Sequence, residues 1–429
     1  MNNPIRPFTA SHLAFLAAST FVVGLTWSPF LLTLSQALTV VASIWHVIST
    51  AGQQGQAPTW GKALGASFKR LWHQPTFLLM SLLFLVPATS YFWSDYLPGW
   101  RNFTRIRLPF LFLPWAFANM PPLSGRQMKT VLFLLLITMV VICIGVGINF
   151  AIHYTQMVED LKHGRPIPVP RNHIRFSLTL ACAIFSGAWL FMQNFYIRFK
   201  WERYIQAICV LFLFGFIHLL SVRSGIAALY AGLVFTVFWS VFRTGRWKIG
   251  LAALAFIVAL PIAAIKFIPS LQERINYMVY DWQKYQNNEG GTYSDSDRFV
   301  SLHIGYLLWK EQPITGTGSG DLQMEAQRMA NNRFPRYSLD PKLPHNQFVY
   351  ILAGTGLFGI ILSLVALIAP FFLPQARRFY LFILFQIIVF LSFMVEYTLE
   401  TAIGVGFYLF FTLWFWKMAT LENASKNLE

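Results

Sequence analysis

Val131–His153 reads "VLFLLLITMVVICIGVGINFAIH", an apolar run with no Asp, Glu, Lys or Arg in it. A helix needs about 20 apolar residues to cross the hydrocarbon core of a bilayer, so this run reads as a transmembrane helix. Runs of similar character recur along nearly the whole chain. They fall at approximately His12–Trp27, Pro29–Ile48, Thr76–Trp93, Leu108–Met120, Ser177–Ile197, Ile205–Leu220, Ser224–Phe242, Ile249–Ile268, Asn346–Leu373, Phe379–Val395 and Ile403–Trp416. The expectation is an all-α, polytopic membrane helical bundle of about 12 transmembrane helices. Leu108–Met120 is short and Pro-flanked, and is expected to tilt little or stop partway. The runs are continuous rather than alternating, which excludes an outer-membrane barrel. Met1–Phe21 lacks a small-residue cleavage site and is followed at once by a second run, so it reads as the first helix rather than a signal peptide.

Composition agrees. The 429 residues are 56% hydrophobic and only 12% charged, against about a quarter charged in soluble domains. The formal net charge of +16 follows from topology. Lys62, Lys69, Arg70, Arg126, Lys129, Arg198, Lys200, Arg203, Arg243, Arg246, Lys248, Arg377 and Arg378 all fall in alternate connections. The short loops on the other side hold roughly half as many basic residues, so the positive-inside rule places both termini in the cytoplasm. A nucleic-acid partner is not expected, because no basic soluble domain exists to carry it. Cys143, Cys182 and Cys209 lie inside expected spans and read as small buried hydrophobes. No His pairs with Cys or another His at zinc-ligand spacing.

Three blocks follow: 1–268 with nine spans and short loops, 269–344 as one large polar loop, and 345–429 with three more spans. Within 50–75, the stretch Trp60–Trp72 is weakly amphipathic and reads as a helix lying on the inner leaflet, its Lys and Arg toward lipid headgroups. The loop 269–344 is far longer than ordinary connections, hence functional or disordered, and its aromatic content argues for order. Phe299, Leu302 and Tyr306 with His303 and Leu307 recur at helical spacing, predicting an amphipathic helix over Ser296–Lys310. "DLQMEAQRMA" predicts a second short helix, and "ITGTGSGDL" a flexible glycine-rich turn open to a sugar.

The loop and the span ends near it hold most of the polar chemistry. Arg223, in "LLSVRSGIAAL", sits in a turn so tight that its guanidinium must lie beside a helix start; Arg298 opens the amphipathic helix. Free N–H groups at helix starts favour anions, so two guanidiniums there can clamp a diphosphate. A lone interfacial Arg more commonly snorkels to headgroups. His345 follows Pro344 and opens the tenth span, where an imidazole can take a proton near neutral pH. Asn346 and Gln347 beside it, and Asp297 beside Arg298, are candidates for support. Glu396 and Glu400, at the outer end of the eleventh span, are costly there; they read equally as binding acceptor sugar or pairing with an Arg, or as part of a solvated short turn. Arg101, Arg105 and Arg107 read as outward-facing and able to hold acidic acceptor groups. Asp295-x-Asp297 is a spacing that can hold Mg²⁺, but D-x-D is a weak pattern in a Ser/Asp-rich helix start, where Asp also caps. The expectation is no metal.

"SVRSG", "SDRFVSLHIGYLLWKEQPITGTGSGDL" and "PHNQFVYILAGTGLFG" resemble the signature blocks of the O-antigen ligase and polymerase superfamily of membrane glycosyltransferases. Specific matching is confined to roughly Ser221–Gly225 and Asp297–Gly359, and the chain length and basic balance look most like the O-antigen ligases. The resemblance implies a large periplasmic loop in a bacterial inner-membrane protein, and a donor glycan carried on undecaprenyl diphosphate. It also implies a lipid A–core acceptor, Arg223 and Arg298 as ligands of the diphosphate, and His345 beside the attacking hydroxyl. Transfer is implied to be metal-independent and inverting. A polymerase adding to another lipid-linked chain shares the donor, and a protein-glycosylating member is third. A transporter or lipid flippase is the rival of a different class. It would call for broken helices and midplane charges, whereas the charges here collect on one side.

Overall fold

The computed structural model describes residues 8–52, 60–287, 294–337 and 343–426. In chain order the helices begin with α1 (Ala10–Trp27), α2 (Pro29–Gly52), α3 (Trp60–Trp72), α4 (Pro75–Met80), α5 (Leu82–Thr89), α6 (Leu97–Arg107) and α7 (Pro109–Ala118). Next come α8 (Gly125–Ile152), α9 (Tyr154–Lys162), α10 (His173–Met192), α11 (Glu202–Leu220), α12 (Arg223–Thr244) and α13 (Trp247–Phe267). The chain then forms α14 (Pro269–Gln286), α15 (Ser294–Glu311), α16 (Leu322–Arg333), α17 (Gln347–Ile368), α18 (Tyr380–Val395) and α19 (Ala402–Lys426). Among the described residues there is no strand.

Among the described residues, ten helical stretches are long and apolar enough to cross a membrane, so the chain is a multi-pass helical membrane protein. Two of the dozen expected spans are shorter. Tyr380–Val395 has 16 residues, and the Leu108–Met120 run forms only the 10-residue α7. At 1.5 Å per residue α7 covers about 15 Å, half the hydrocarbon thickness, yet Asn119 at its end meets Arg70 of α3, so the chain reaches the far side through α6 and α7 together.

α10 and α19 form the centre. α10 buries residues on every side, from Ile174 to Leu190, and α19 buries Tyr408, Phe411, Trp414 and Phe415. α1 reaches that centre through Ala14, Ala17 and Ala18, whose small side chains let Phe21 stack on Phe410 with ring centroids 3.9 Å apart. α13 buries only Gly250 and Ile257, and its exposed Leu251, Phe256 and Ile262 suit contact with lipid.

Successive passes alternate in direction, so the connections gather at two ends. One end carries the α1–α2 turn, the starts of α10, α12 and α17, and α14–α16; it is called the site end below. The other, the basic end, carries α3 and the turns holding Arg198–Arg203, Arg243–Lys248 and Arg377–Arg378.

The long polar segment is mostly helix. α14 was not foreseen. α15 and α16 occupy the expected places, but the buried face of α15 is shifted by one residue. Val300, Ile304 and Leu308 go inward against α16 and against Tyr350 and Ala353 of α17. Phe299 and Tyr306 stay 45% and 43% exposed, with Phe299 covering Trp282 and Tyr285 of α14. Weighting aromatic residues over aliphatic ones misplaced the face.

The glycine-rich turn is not a surface for sugar. α17 is interrupted at Gly356 (φ 65°, ψ −164°), and residues 313–318 fill the interruption. Thr317 N–H and Gly318 N–H donate to Ala353 and Gly354 carbonyls at 2.9 and 3.0 Å, while Leu357 and Phe358 N–H donate to Pro313 and Ile314 carbonyls at 2.9 and 3.2 Å. Backbone groups freed inside a spanning helix are tolerated only where protein satisfies them, and this turn does so. Gly356 lies in a glycine-only region, and a Cβ there would meet the Ile314 carbonyl oxygen at 2.2 Å. Gly356→Ala is therefore expected to cost about 3 kcal/mol and lower the melting temperature of the detergent-solubilised protein. An unchanged melting temperature would mean that the turn does not occupy the break.

Candidate functional site

Arg223 owes its place to a two-residue reversal. Ser221 adopts a left-handed conformation (φ 51°), Val222 is extended, and α12 begins at once. Gly225 then lets α12 close on α10, since a Cβ there would lie 2.4 Å from that of Ser177. Arg298 is placed by α15, whose first turn is anchored by α14: the buried Asp281 accepts from Ser296 N–H at 3.3 Å and from the Ser296 hydroxyl. Asp297 is buried at the same helix start. Asp295 lies in α15, but its side chain is outside the described residues. Among the described residues, no group of three His, Cys, Asp or Glu side chains is disposed to hold a metal.

Arg223 and Arg298 line one narrow cleft of about 20 Å³ together with Arg274 of α14 and His173 of α10. Arg274 is held there by donating to the Gly164 carbonyl at 2.5 Å.

His345 is the neighbour of this cleft through Glu396. Its backbone N–H donates to Ser301 Oγ of α15 at 3.2 Å, and its Nδ1 lies 3.3 Å from Glu396 Oε1. The same oxygen is 3.7 Å from an Arg298 guanidinium nitrogen. Burial by itself raises the Glu396 pKa, but the hydrogen bond from His345 and the charges of His345, Arg175 and Arg298 outweigh it and hold the carboxyl below its ordinary value. Glu396 therefore stabilises the fold above the ordinary carboxyl pKa, a contribution lost as pH falls through the lowered value. An ionised Glu396 on Nδ1 selects the tautomer that leaves Nε2 as an acceptor facing away from it.

The remaining candidates divide. Glu396 and Glu400 are both buried, so neither belongs to a solvated turn, and they point to different partners. Glu400 forms a buried ion pair with Arg107 and accepts from Gln347 Nε2 at 2.8 Å, while Gln347 Oε1 accepts from Leu399 N–H at 2.7 Å. Removing one partner of such a pair strands a charge and costs about 3–5 kcal/mol. Arg107 thus does not face outward as expected. It lies about 200° around α6 from Arg105, on the buried face with Thr104, while Arg101 and Arg105 are exposed on the other. Asn346 caps α17, its Oδ1 accepting from Phe348 and Val349 N–H at 2.9 and 3.1 Å, and its Nδ2 donates to the Met394 carbonyl at 3.0 Å. Gln347, Glu400 and Asn346 are thus engaged in holding the 396–400 turn and the ends of α17 and α18.

Three cationic or titratable residues were missed: His173, Arg175 and Arg274. Arg175 sits near Glu396 and Tyr397, and its Nε is buried with no hydrogen-bond partner among the described residues. The reading began this span at Ser177, which left His173 and Arg175 in a loop. Asn172 was the available signal, an N-cap whose Oδ1 accepts from Ile174 and Arg175 N–H at 2.9 and 3.2 Å. Arg274 had no such signal, because α14 itself was unforeseen.

The arrangement can hold an anion against several cations, with a carboxylate-oriented imidazole joined to it through Glu396. No curated protein matches the chain. Residues 208–364, which include Arg223, Arg274, Arg298 and His345, match the family model described as O-antigen ligase. With its many apolar spans and this site, the chain is similar over that segment to the O-antigen ligase family.

Proposed function

We propose that the protein transfers a glycan from undecaprenyl diphosphate to lipid A–core oligosaccharide at the periplasmic face of the bacterial inner membrane. The observation that carries this reading is Arg298: it lines the cationic cleft with Arg223 and also reaches the carboxylate that holds His345. The basic turns gather at the opposite end, which supports a cytoplasmic location for that end and for both termini.

In this reading the diphosphate rests against Arg223 and Arg298, with Arg274 and His173 beside them. His345 Nε2 accepts the proton of the acceptor hydroxyl. The hydroxyl oxygen then attacks the anomeric carbon from the side opposite the diphosphate. The bond to the diphosphate oxygen breaks and its electron pair leaves with the lipid, giving inversion. Diphosphate is already a good leaving group, so the site needs positive charge where negative charge develops and one base, with no general acid. Arg101 and Arg105, exposed at the site end, are available to acidic groups of the acceptor. The break in α17 is a feature a transporter would share, but here the protein's own turn fills it and it does not line a cavity.

Reconstitution with lipid-linked glycan and either acceptor tests this reading directly. The expected product is glycan on lipid A–core, formed equally well in excess EDTA. Product only on a second lipid-linked glycan would make the protein a polymerase. A strict Mg²⁺ requirement would return the diphosphate to Asp295 and Asp297.

A further inference from the structure

At the basic end, far from the cleft just described, α3 packs on the bundle through Ala63, Ser67 and Leu71. Ser67 accepts from Trp115 Nε1 at 3.2 Å, and Arg70 Nε donates to Asn119 Oδ1 at 2.7 Å. Leu64, Phe68 and Trp72, four residues apart on a neighbouring face, remain 46%, 55% and 75% exposed. A helix with such a stripe beside basic residues lies at the level of lipid headgroups, the stripe dipping into the acyl region.

Between α3 and α19 lies an open cleft of about 450 Å³ lined by Lys69, Arg70, His73 and Trp416. Lys417 follows Trp416 in α19 and is half-buried, and His46 of α2 lies within electrostatic reach of both Arg70 and Lys417. Lys69, Arg70 and His73, at the end of α3, therefore share one space, with Lys417 and His46 nearby but outside its lining. No carboxylate pairs with Lys69, Arg70, His73 or Lys417 among the described residues. Lys69 and Arg70 also complement the C-terminal dipole of α3, but Lys417 comes from another helix and has no such role. Positive charges gathered around one space repel each other, and an anion entering from the membrane surface offsets that repulsion.

We propose that this cleft binds the phosphate headgroup of an anionic phospholipid in the leaflet opposite the glycan-transfer site. The headgroup lies among Lys69, Arg70 and His73, with Arg70 preset by Asn119. Its chains run beside Phe68 and Trp72. The lipid, rather than free phosphate, is the ligand because the cationic cleft adjoins an exposed apolar stripe. The inference does not depend on the reaction at the other end.

Native mass spectrometry of the detergent-solubilised protein, titrated with phosphatidylglycerol or phosphatidylcholine, tests it. The intact protein is expected to retain phosphatidylglycerol about tenfold better, and Lys69→Gln with His73→Gln to lose that preference. Lys69→Gln alone, at an exposed position, should weaken it without endangering the fold. Arg246→Gln with Lys248→Gln, exposed at the same end, should leave it intact. Equal retention of both lipids by the intact protein, equal loss in the Arg246 and Lys248 variant, or displacement by millimolar inorganic phosphate alone would each overturn the proposal.

Discussion

Arg298→Ala is expected to lower glycan transfer about a hundred- to a thousandfold while the protein still inserts and keeps its melting temperature. The size follows from where the guanidinium stands. It is one wall of the cleft shared with Arg223 and Arg274, and it also reaches Glu396 Oε1 at 3.7 Å. Its loss removes a charge from the leaving diphosphate and a constraint from the carboxylate that aligns His345. Arg298→Lys keeps the charge but not the planar fork, and should recover only part of the rate. Arg223→Ala should fall comparably, since it faces the same space from the other wall. Transfer by reconstituted protein is the measurement, with insertion checked by protease protection. Full activity in either alanine variant would remove the clamp from the mechanism.

His345→Ala is expected to cost about a hundred- to ten-thousandfold in turnover, with donor binding nearly unchanged. The imidazole is 24% exposed on its side chain, tied by Nδ1 to Glu396 and packed against Tyr397 with ring centroids 5.3 Å apart. It is a held group with one nitrogen left for chemistry. Glu396 acts through His345 as a positioning residue, so Glu396→Gln should lower turnover less than His345→Ala. It should also shift the acid limb of the pH–rate profile, which a merely structural role would not do. Turnover unaffected by His345→Ala would end its role as base. Parallel loss of donor binding and turnover would place it among the diphosphate ligands instead.

How much of this was legible varies residue by residue. Apolar run length against bilayer thickness is a local quantity, so α8, α12 and α13 fall close to where the composition put them. Arg223 and Arg298 also had local signals, a turn too short to carry a loop and a polar helix start. His345 had Pro344 before it and an apolar run behind. The direction taken by Arg101, Arg105 and Arg107 was harder. Their 3.6-residue phase separates Arg107 from the others, but which face of α6 meets protein depends on what packs there.

The amino-acid sequence by itself determined that this is a multi-pass helical protein with its polar chemistry collected in one long segment, because hydrophobic length and charge are summed along the chain. Only the tertiary structure decided that Glu396 rather than Glu400 meets His345, and that Arg107 finds Glu400 across 293 positions. It alone decided that a glycine-rich turn fills the break in α17, and that Arg274 completes the cleft. Each of these is a contact between remote segments, selected because a charge or a freed backbone group away from water must find a partner wherever the fold supplies one.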